Sequence, residues 1–176
     1  MRRGMAAIGS AVFFVLAPGV VAGLVPWWLT GWRTSELPPS WLPMRIVGAA
    51  LIAGGLITLV RAFARFVSEG VGTPAPVAPT QHLVVGGLYR YVRNPMYLAV
   101  LALIVGQALI LGRLELLLYA GIVALAFITF VRVYEEPTLR ARFGPQYDAY
   151  RRAVPGWWPR RHPWEPTADH RPSSGD

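Results

Sequence analysis

Met96–Val133 reads MYLAVLALIVGQALILGRLELLLYAGIVALAFITFVRV. An apolar run, Met96–Leu111, is followed by Gly112-Arg113 and then by a second apolar run, Leu114–Val133. A glycine-arginine break between two such runs is the connection of a helical hairpin. Crossing the hydrocarbon of a bilayer takes about 20 apolar residues in a helix. The second run meets that length. The first falls short but carries no charge before Arg113.

Two more apolar runs lie upstream, Met5–Leu29 and Met44–Val67, both long enough to span. The first begins after Arg2 and Arg3, but it exceeds the apolar core of a cleaved signal. It also ends in Pro26-Trp27-Trp28, an interfacial aromatic anchor, so it reads as a retained span with a kink at Pro18-Gly19. The sequence therefore predicts an all-α membrane protein of about four transmembrane helices. The 176 residues are 54% hydrophobic and 15% charged, against about a quarter charged in a soluble domain.

Without cysteine there is no disulfide, thiolate metal site or cysteine nucleophile. All 17 Lys-plus-Arg positions are arginine, and the formal net charge is +8. No nucleic-acid motif accompanies that charge; the arginines cluster at the ends of apolar runs, where they orient a membrane protein. Arg2, Arg3, Arg61, Arg65, Arg90, Arg93, Arg132, Arg140, Arg142, Arg151, Arg152, Arg160 and Arg161 fall on one side; Arg33, Arg45 and Arg113 fall on the other. By the positive-inside rule both termini and the Ser68–Arg93 loop are expected in the cytoplasm, and the membrane is expected to be the cell's inner or plasma membrane. Residues 1–161 form one membrane domain. The stretch Gly70–Thr80 is a proline-rich linker, and residues 162–176 read as a disordered tail.

Two polar islands share the cytoplasmic side. The first, Gln81–Tyr97, carries His82, Arg90, Arg93 and Asn94 among Gly86, Gly87, Pro95 and the tyrosines 89, 91 and 97. Gly86-Gly87 lets a ligand approach the main chain, and the helix opening at Asn94-Pro95 leaves amides that favour a carboxylate. The second island runs from Arg132 to Tyr150. Glu135-Glu136-Pro137 reads as a helix start, Leu139, Phe143 and Tyr147 as one apolar stripe, Gly144-Pro145 as a break, and Val154–Pro159 as an interfacial return. Two carboxylates at a membrane face would repel anionic headgroups and hold a cationic or hydroxyl-rich ligand. The alternative is an interfacial loop whose arginines touch lipid phosphate. The histidines 82, 162 and 170 are too dispersed for a metal, and no serine is placed for a catalytic triad.

Three segments carry a resemblance: His82-Leu83-Val84-Val85-Gly86-Gly87-Leu88-Tyr89, then Arg93-Asn94-Pro95-Met96-Tyr97, then Glu135-Glu136 with Leu139, Phe143-Gly144, Tyr147 and Tyr150. In this order the chain, from about Gln81 to Pro159, resembles the isoprenylcysteine carboxyl methyltransferase and phospholipid methyltransferase superfamily of integral-membrane enzymes. The resemblance implies a cytoplasmic-face pocket for S-adenosyl-L-methionine. Its contacts would be His82, Leu83, Val84, Val85, Gly87, Tyr89, Arg93, Asn94, Pro95 and Tyr97, with Glu135 or Glu136. Arg132 would orient a lipophilic acceptor, and Arg132 and Glu135 would serve the reaction. Asn94 stands where isoprenylcysteine enzymes carry histidine, and Ala99 where glycine commonly follows, which leaves the acceptor open between a prenyl-type carboxylate and a phospholipid-type amine. Two other readings stand beside this one. A non-catalytic membrane scaffold would keep the fold, whereas a transporter would need ionisable residues at mid-depth; the arginines lie near span ends, and only Gln107 is polar deep in the third run. Gly48, Gly54 and Gly55 offer close helix packing, within the chain or with another copy.

Overall fold

The computed structural model describes residues 17–70 and 83–165. Arg2, Arg3, the start of the first apolar run, the linker from Val71 onward, Gln81, His82 and the end of the tail lie outside the described residues. Among the described residues every regular element is helical. Helix α1 is Ala17–Thr30, α2 is Leu42–Gly70, α3 is Pro95–Leu111, α4 is Leu114–Phe130 and α5 is Glu136–Ala153. Short 3-10 turns lie at Pro39–Trp41 and Gly87–Arg90.

Two helices, Pro39–Arg65 and Leu114–Ala153, are long and apolar enough to cross a membrane. Only 22% of the apolar window of each is buried, the reverse of a soluble core helix. Their outward residues are apolar as well: Ile46, Ile57 and Val60 on α2, and Leu118, Ile122 and Leu125 on α4, are exposed. Stripes of that kind on both sides of a helix require an apolar surrounding. The other two apolar helices are shorter, with α3 spanning 17 residues.

The tightest contact is between α2 and α3. A Cβ on Gly48 would lie 2.7 Å from the Gly106 carbonyl oxygen, and one on Gly106 would lie 2.7 Å from that of Gly48. Seven residues along α2, a Cβ on Gly55 would lie 3.0 Å from the Ala99 carbonyl. The pairings advance along one helix as they recede along the other, so the two run antiparallel with backbones touching. Gly48 and Gly55 thus pack within the chain, whereas nothing lies within 4 Å of a Cβ on Gly54. Leu59, Ala99, Val100, Leu103, Ile104, Ala120 and Val123 fill the core between α2, α3 and α4.

Prolines set the irregular turns. Pro26 has no N–H to donate, and α1 answers with a π turn over Val20–Leu24, in which Val25 N–H reaches the Val20 carbonyl. The kink expected at Pro18-Gly19 therefore falls later, and Gly19 itself is ordinary helix. Carbonyls loosened by this turn find side chains: Tyr119 OH donates to Val21 O at 2.9 Å and Gln107 Nε2 to Ala22 O at 2.7 Å. Gln107 is thus a structural donor, its Oε1 in turn accepting from Trp32 Nε1 at 3.2 Å. At the far end of α3, Gly112 takes the left-handed cap (φ 66°), while Ser35 and Trp41 cover the free carbonyls of Leu111, Gly112 and Leu109.

Pro137 has a parallel effect. A second π turn, Val131–Glu135, joins α4 to α5 without a break. Glu135-Glu136 consequently does not begin a new helix with free amides, as the sequence suggested; it continues an existing one. The real break is at Gly144 (φ 50°, ψ −125°), a conformation that glycine adopts without strain, next to Pro145. Leu139 and Phe143 before the bend still join Tyr147, Tyr150 and Val154 after it in one cluster.

The same substitution should have opposite signs on α2 and α3. Gly54→Ala gains helix propensity and should stabilise by up to about 1 kcal/mol. Gly106→Ala forces the helices apart and should destabilise by about 1–3 kcal/mol despite that gain. Thermal unfolding of the purified protein in detergent checks this; equal effects at the two positions would refute the close contact.

Candidate functional site

The first island is folded onto the end of the chain. Arg93 N–H donates to Pro155 O at 3.0 Å and Asn94 N–H to Gly156 O at 3.3 Å. Further along the return segment, Arg160 N–H donates to Tyr91 O and Trp164 N–H to Arg90 O. Arg90 Nε donates to Trp164 O at 2.8 Å and its guanidinium pairs with Glu165. Trp164 packs on Tyr150, with ring centroids 5.4 Å apart. The start of the expected disordered tail is therefore docked as far as Glu165, because Arg90 and Tyr150 supply the partners. The Asn94 amide expected to hold a ligand carboxylate is spent on Gly156.

Arg93 is the hinge of the arrangement. Its Nη1 donates to Glu136 Oε1 at 2.8 Å and to Tyr147 OH at 3.0 Å, and its Nε to Val154 O at 2.9 Å. Glu136 is also paired through Oε2 with Arg151 at 3.1 Å. The Arg93 and Glu136 side chains are only 14% and 16% exposed, so this pair is shielded from solvent screening. With two guanidiniums on its carboxylate, Glu136 holds structure together.

Glu135 differs. Its Oε2 accepts from Tyr97 OH at 3.0 Å, and no cationic side chain pairs with it among the described residues. It lies beyond the apolar run that ends at Val133. Burial pushes its carboxyl above the usual carboxylate range, and the neighbouring Glu136 charge adds to this. The Tyr97 hydrogen bond and Arg93 pull the other way. Tyr97, its hydroxyl partner, is itself packed in a group of rings, with centroids 4.7 Å from Phe127 and 6.3 Å from Trp157. A half-buried carboxylate whose one partner among the described residues is an aromatic hydroxyl is a place for a cation.

The other expected contacts divide into two groups. Leu83 and Val85 pack on the Tyr147–Tyr150–Val154 cluster, while Val84 turns the opposite way onto Ala62 and Tyr89. Tyr89 is buried, its carbonyl accepts from Tyr150 OH at 2.7 Å, and burial raises both phenols, so both stay neutral. Pro95 is fully buried. These residues shape the wall. Gly87 (φ 57°) is exposed, leaving open backbone beside Arg65. Asn94 is buried, and its Nδ2 has no hydrogen-bond partner among the described residues; Arg160 Nη1 is in the same state. Arg132 is exposed at the membrane end of the site and pairs with no acid among the described residues. The structure thus brings Tyr97, Asn94, Arg93, Glu135 and Glu136 together, leaves Arg132 at the edge, and says nothing of His82, which is outside the described residues. Sequence reasoning missed Phe127, Trp157, Arg151 and the carbonyls of Val154–Gly156. Gly156 was the available signal, since a Cβ there would lie 3.2 Å from Arg93 Nη2.

The family model described as phospholipid methyltransferase matches residues 43–146. The chain belongs to this family. The match runs from α2 through the π turn to just past Gly144, so it holds the first island and the second as far as residue 146. The chain is also 34% identical over 77 residues to the protein-S-isoprenylcysteine O-methyltransferase of Schizosaccharomyces pombe. That alignment covers 44% of this chain and 33% of the relative, so the chain spans about a third of the length of the curated relative it matches. No solved structure matches it. For a phospholipid methyltransferase family member the arrangement fits the cofactor expected from sequence. Among the described residues Asn94 Nδ2 is a donor without an acceptor, and Glu135 is a carboxylate without a cationic partner beside Tyr97.

The two glutamates should separate in stability measurements on ligand-free protein. Glu136→Gln strips the charge partner from Arg93 and Arg151 and should cost about 1–3 kcal/mol. Glu135 has a raised folded pKa, so its ionised form costs stability above that pKa, and the cost fades as pH falls toward its unfolded value of about 4.3. Glu135→Gln should therefore melt no lower than wild type at neutral pH, with any advantage shrinking as pH is lowered. A large loss at Glu135 and none at Glu136 would reverse these assignments.

Proposed function

We propose that the protein transfers a methyl group from S-adenosyl-L-methionine to a lipophilic acceptor at the cytoplasmic face of the membrane, with four helices in the bilayer and both termini in the cytoplasm. The observation that carries this reading is the Tyr97–Glu135 hydrogen bond, which joins the two islands at a carboxylate with no cationic partner among the described residues. When bound, the cofactor supplies an electrophilic methyl on a sulfonium centre. Glu135 faces the ligand's positive charge, and Tyr97 fixes the orientation of that carboxylate. Asn94 Nδ2 offers its hydrogen bond to a ligand acceptor, and Gly87 lets the ligand lie against backbone.

Arg93 and Glu136 hold the islands in register and so act as positioning residues. Tyr97, packed against Phe127 and Trp157, covers Glu135 on one side. Positioning in a dry site is the main source of rate in a displacement that needs no metal. Arg132, exposed where the apolar run ends, would hold an anionic acceptor such as a carboxylate, in keeping with the O-methyltransferase name of the Schizosaccharomyces pombe relative. A phospholipid-type amine, suggested by the family description, would not need it. The chain would hold either acceptor from the bilayer side, where its tail can stay in lipid. A scaffold reading does not require a carboxylate and a buried amide that both lack a matching partner among the described residues.

Titration of the purified protein with S-adenosylhomocysteine, followed by calorimetry, tests the reading. Saturable binding at one site is expected. Glu135→Ala should weaken it by about tenfold or more, the effect of one lost charge-assisted contact. Folded protein that takes up no ligand would contradict the reading. Arg132→Ala should leave that titration unchanged while reducing methyl transfer to a carboxylate acceptor; an equal loss of both would place Arg132 in the cofactor site.

A further inference from the structure

Beside the site lies a polar groove of about 500 Å³, lined by Arg93, Arg140, Asp148, Arg151 and Arg152. Its charges do not balance. Arg140 is paired with Asp148 at 2.8 Å, and Arg93 and Arg151 share Glu136. Arg152 pairs with no acid among the described residues and is exposed. Four guanidiniums against Asp148 and Glu136 leave two positive charges over. Crowding like charges in one concavity raises its potential and is relieved by a bound anion. Guanidinium forks match phosphate oxygens in particular.

The position of the groove indicates which anion. Arg140 follows Val133, the end of the apolar run, by seven positions, about 10 Å of helix. The headgroup layer on each face of a bilayer is about 5–8 Å deep, so the Arg140 backbone stands just outside it and its long side chain can reach back into it. Gly144 then bends the chain, so Asp148, Arg151 and Arg152 run no straight course away from the membrane. Trp158, on the segment after α5, is 80% exposed, as an interfacial aromatic is. A groove of this size holds a headgroup, within the range of small-ligand pockets.

We propose that this groove binds the phosphate of an anionic lipid headgroup from the cytoplasmic leaflet, at a site separate from the Glu135 cation site. Arg140, Arg151 and Arg152 hold the phosphate. Arg93 lines the same groove while gripping Glu136, so the bound lipid rests against the tie that joins the two islands. Lipid binding here depends on the membrane placement and not on methyl transfer, so the two fail separately.

The test is native mass spectrometry of the full chain in mild detergent with equimolar phosphatidylglycerol and phosphatidylcholine, which share the phosphodiester and differ in net charge. Phosphatidylglycerol should be retained in preference, and inorganic phosphate at the same concentration should not displace it. The double variant Arg140→Gln/Arg152→Gln should reduce that retention about tenfold, with S-adenosylhomocysteine affinity unchanged. Arg152→Gln alone, which removes no contact among the described residues, should reduce it about threefold and leave the melting temperature in place. Equal retention of the two lipids, displacement by inorganic phosphate, or variants that hold phosphatidylglycerol as wild type does would overturn the proposal.

Discussion

The bond on which the arrangement depends is the one Arg93 makes with Glu136. One guanidinium reaches across the end of the helix bundle to a carboxylate 43 residues later, to the Tyr147 hydroxyl and to the Val154 carbonyl. Little else has to be specified. Once Arg93 is anchored, its own amide and that of Asn94 meet the carbonyls of Pro155 and Gly156, and the chain beyond them is drawn over the first island. Tyr97, one helical turn on, is then presented to Glu135. A mostly shielded ion pair has a substantial desolvation cost, and this one is offset by the extra hydrogen bonds on both partners. Its contribution is specificity of register as much as stability.

The bundle beneath makes that reach possible. Direct backbone contact between α2 and α3 at Gly48–Gly106 brings the helix ends close, and the π turn at Val131–Glu135 sets which way the two glutamates face. An extra residue in a helical turn rotates the helix beyond it, so Pro137, by forcing that turn, separates the roles of two adjacent acids. Glu136 meets two arginines, and Glu135 meets a phenol. The proposed function gives this asymmetry a purpose, since the proposed methyl donor is a cation and Glu135 has no charge partner among the described residues.

The helical class and the hairpin at Gly112 were legible because apolar run length and glycine-arginine punctuation are local signals. The convergence of the islands was legible from arginine placement and from the family motifs. Three things were not. Helix continuity through Glu135-Glu136 was hidden because a proline after two acids looks the same at a helix start as behind a π turn. The role of Gln107 was hidden because its partner is the Ala22 carbonyl, freed by Pro26 and 85 positions away. The docking of Trp164 was hidden because its partners, Arg90 and Tyr150, lie far off in sequence, while the segment itself has no periodicity. In each case a backbone irregularity or a distant contact decides, and neither leaves a local pattern.

An experimental structure of the full chain in lipid nanodiscs with S-adenosylhomocysteine is the most direct examination of the central claim. The ligand should lie between the two islands, its positively charged amino-acid end or its sulfur on the Glu135 side of Tyr97, with the Arg93–Glu136 pair intact beside it. Ligand density elsewhere on the chain, or an intact complex in which Glu135 and Tyr97 are apart and face lipid, would contradict it.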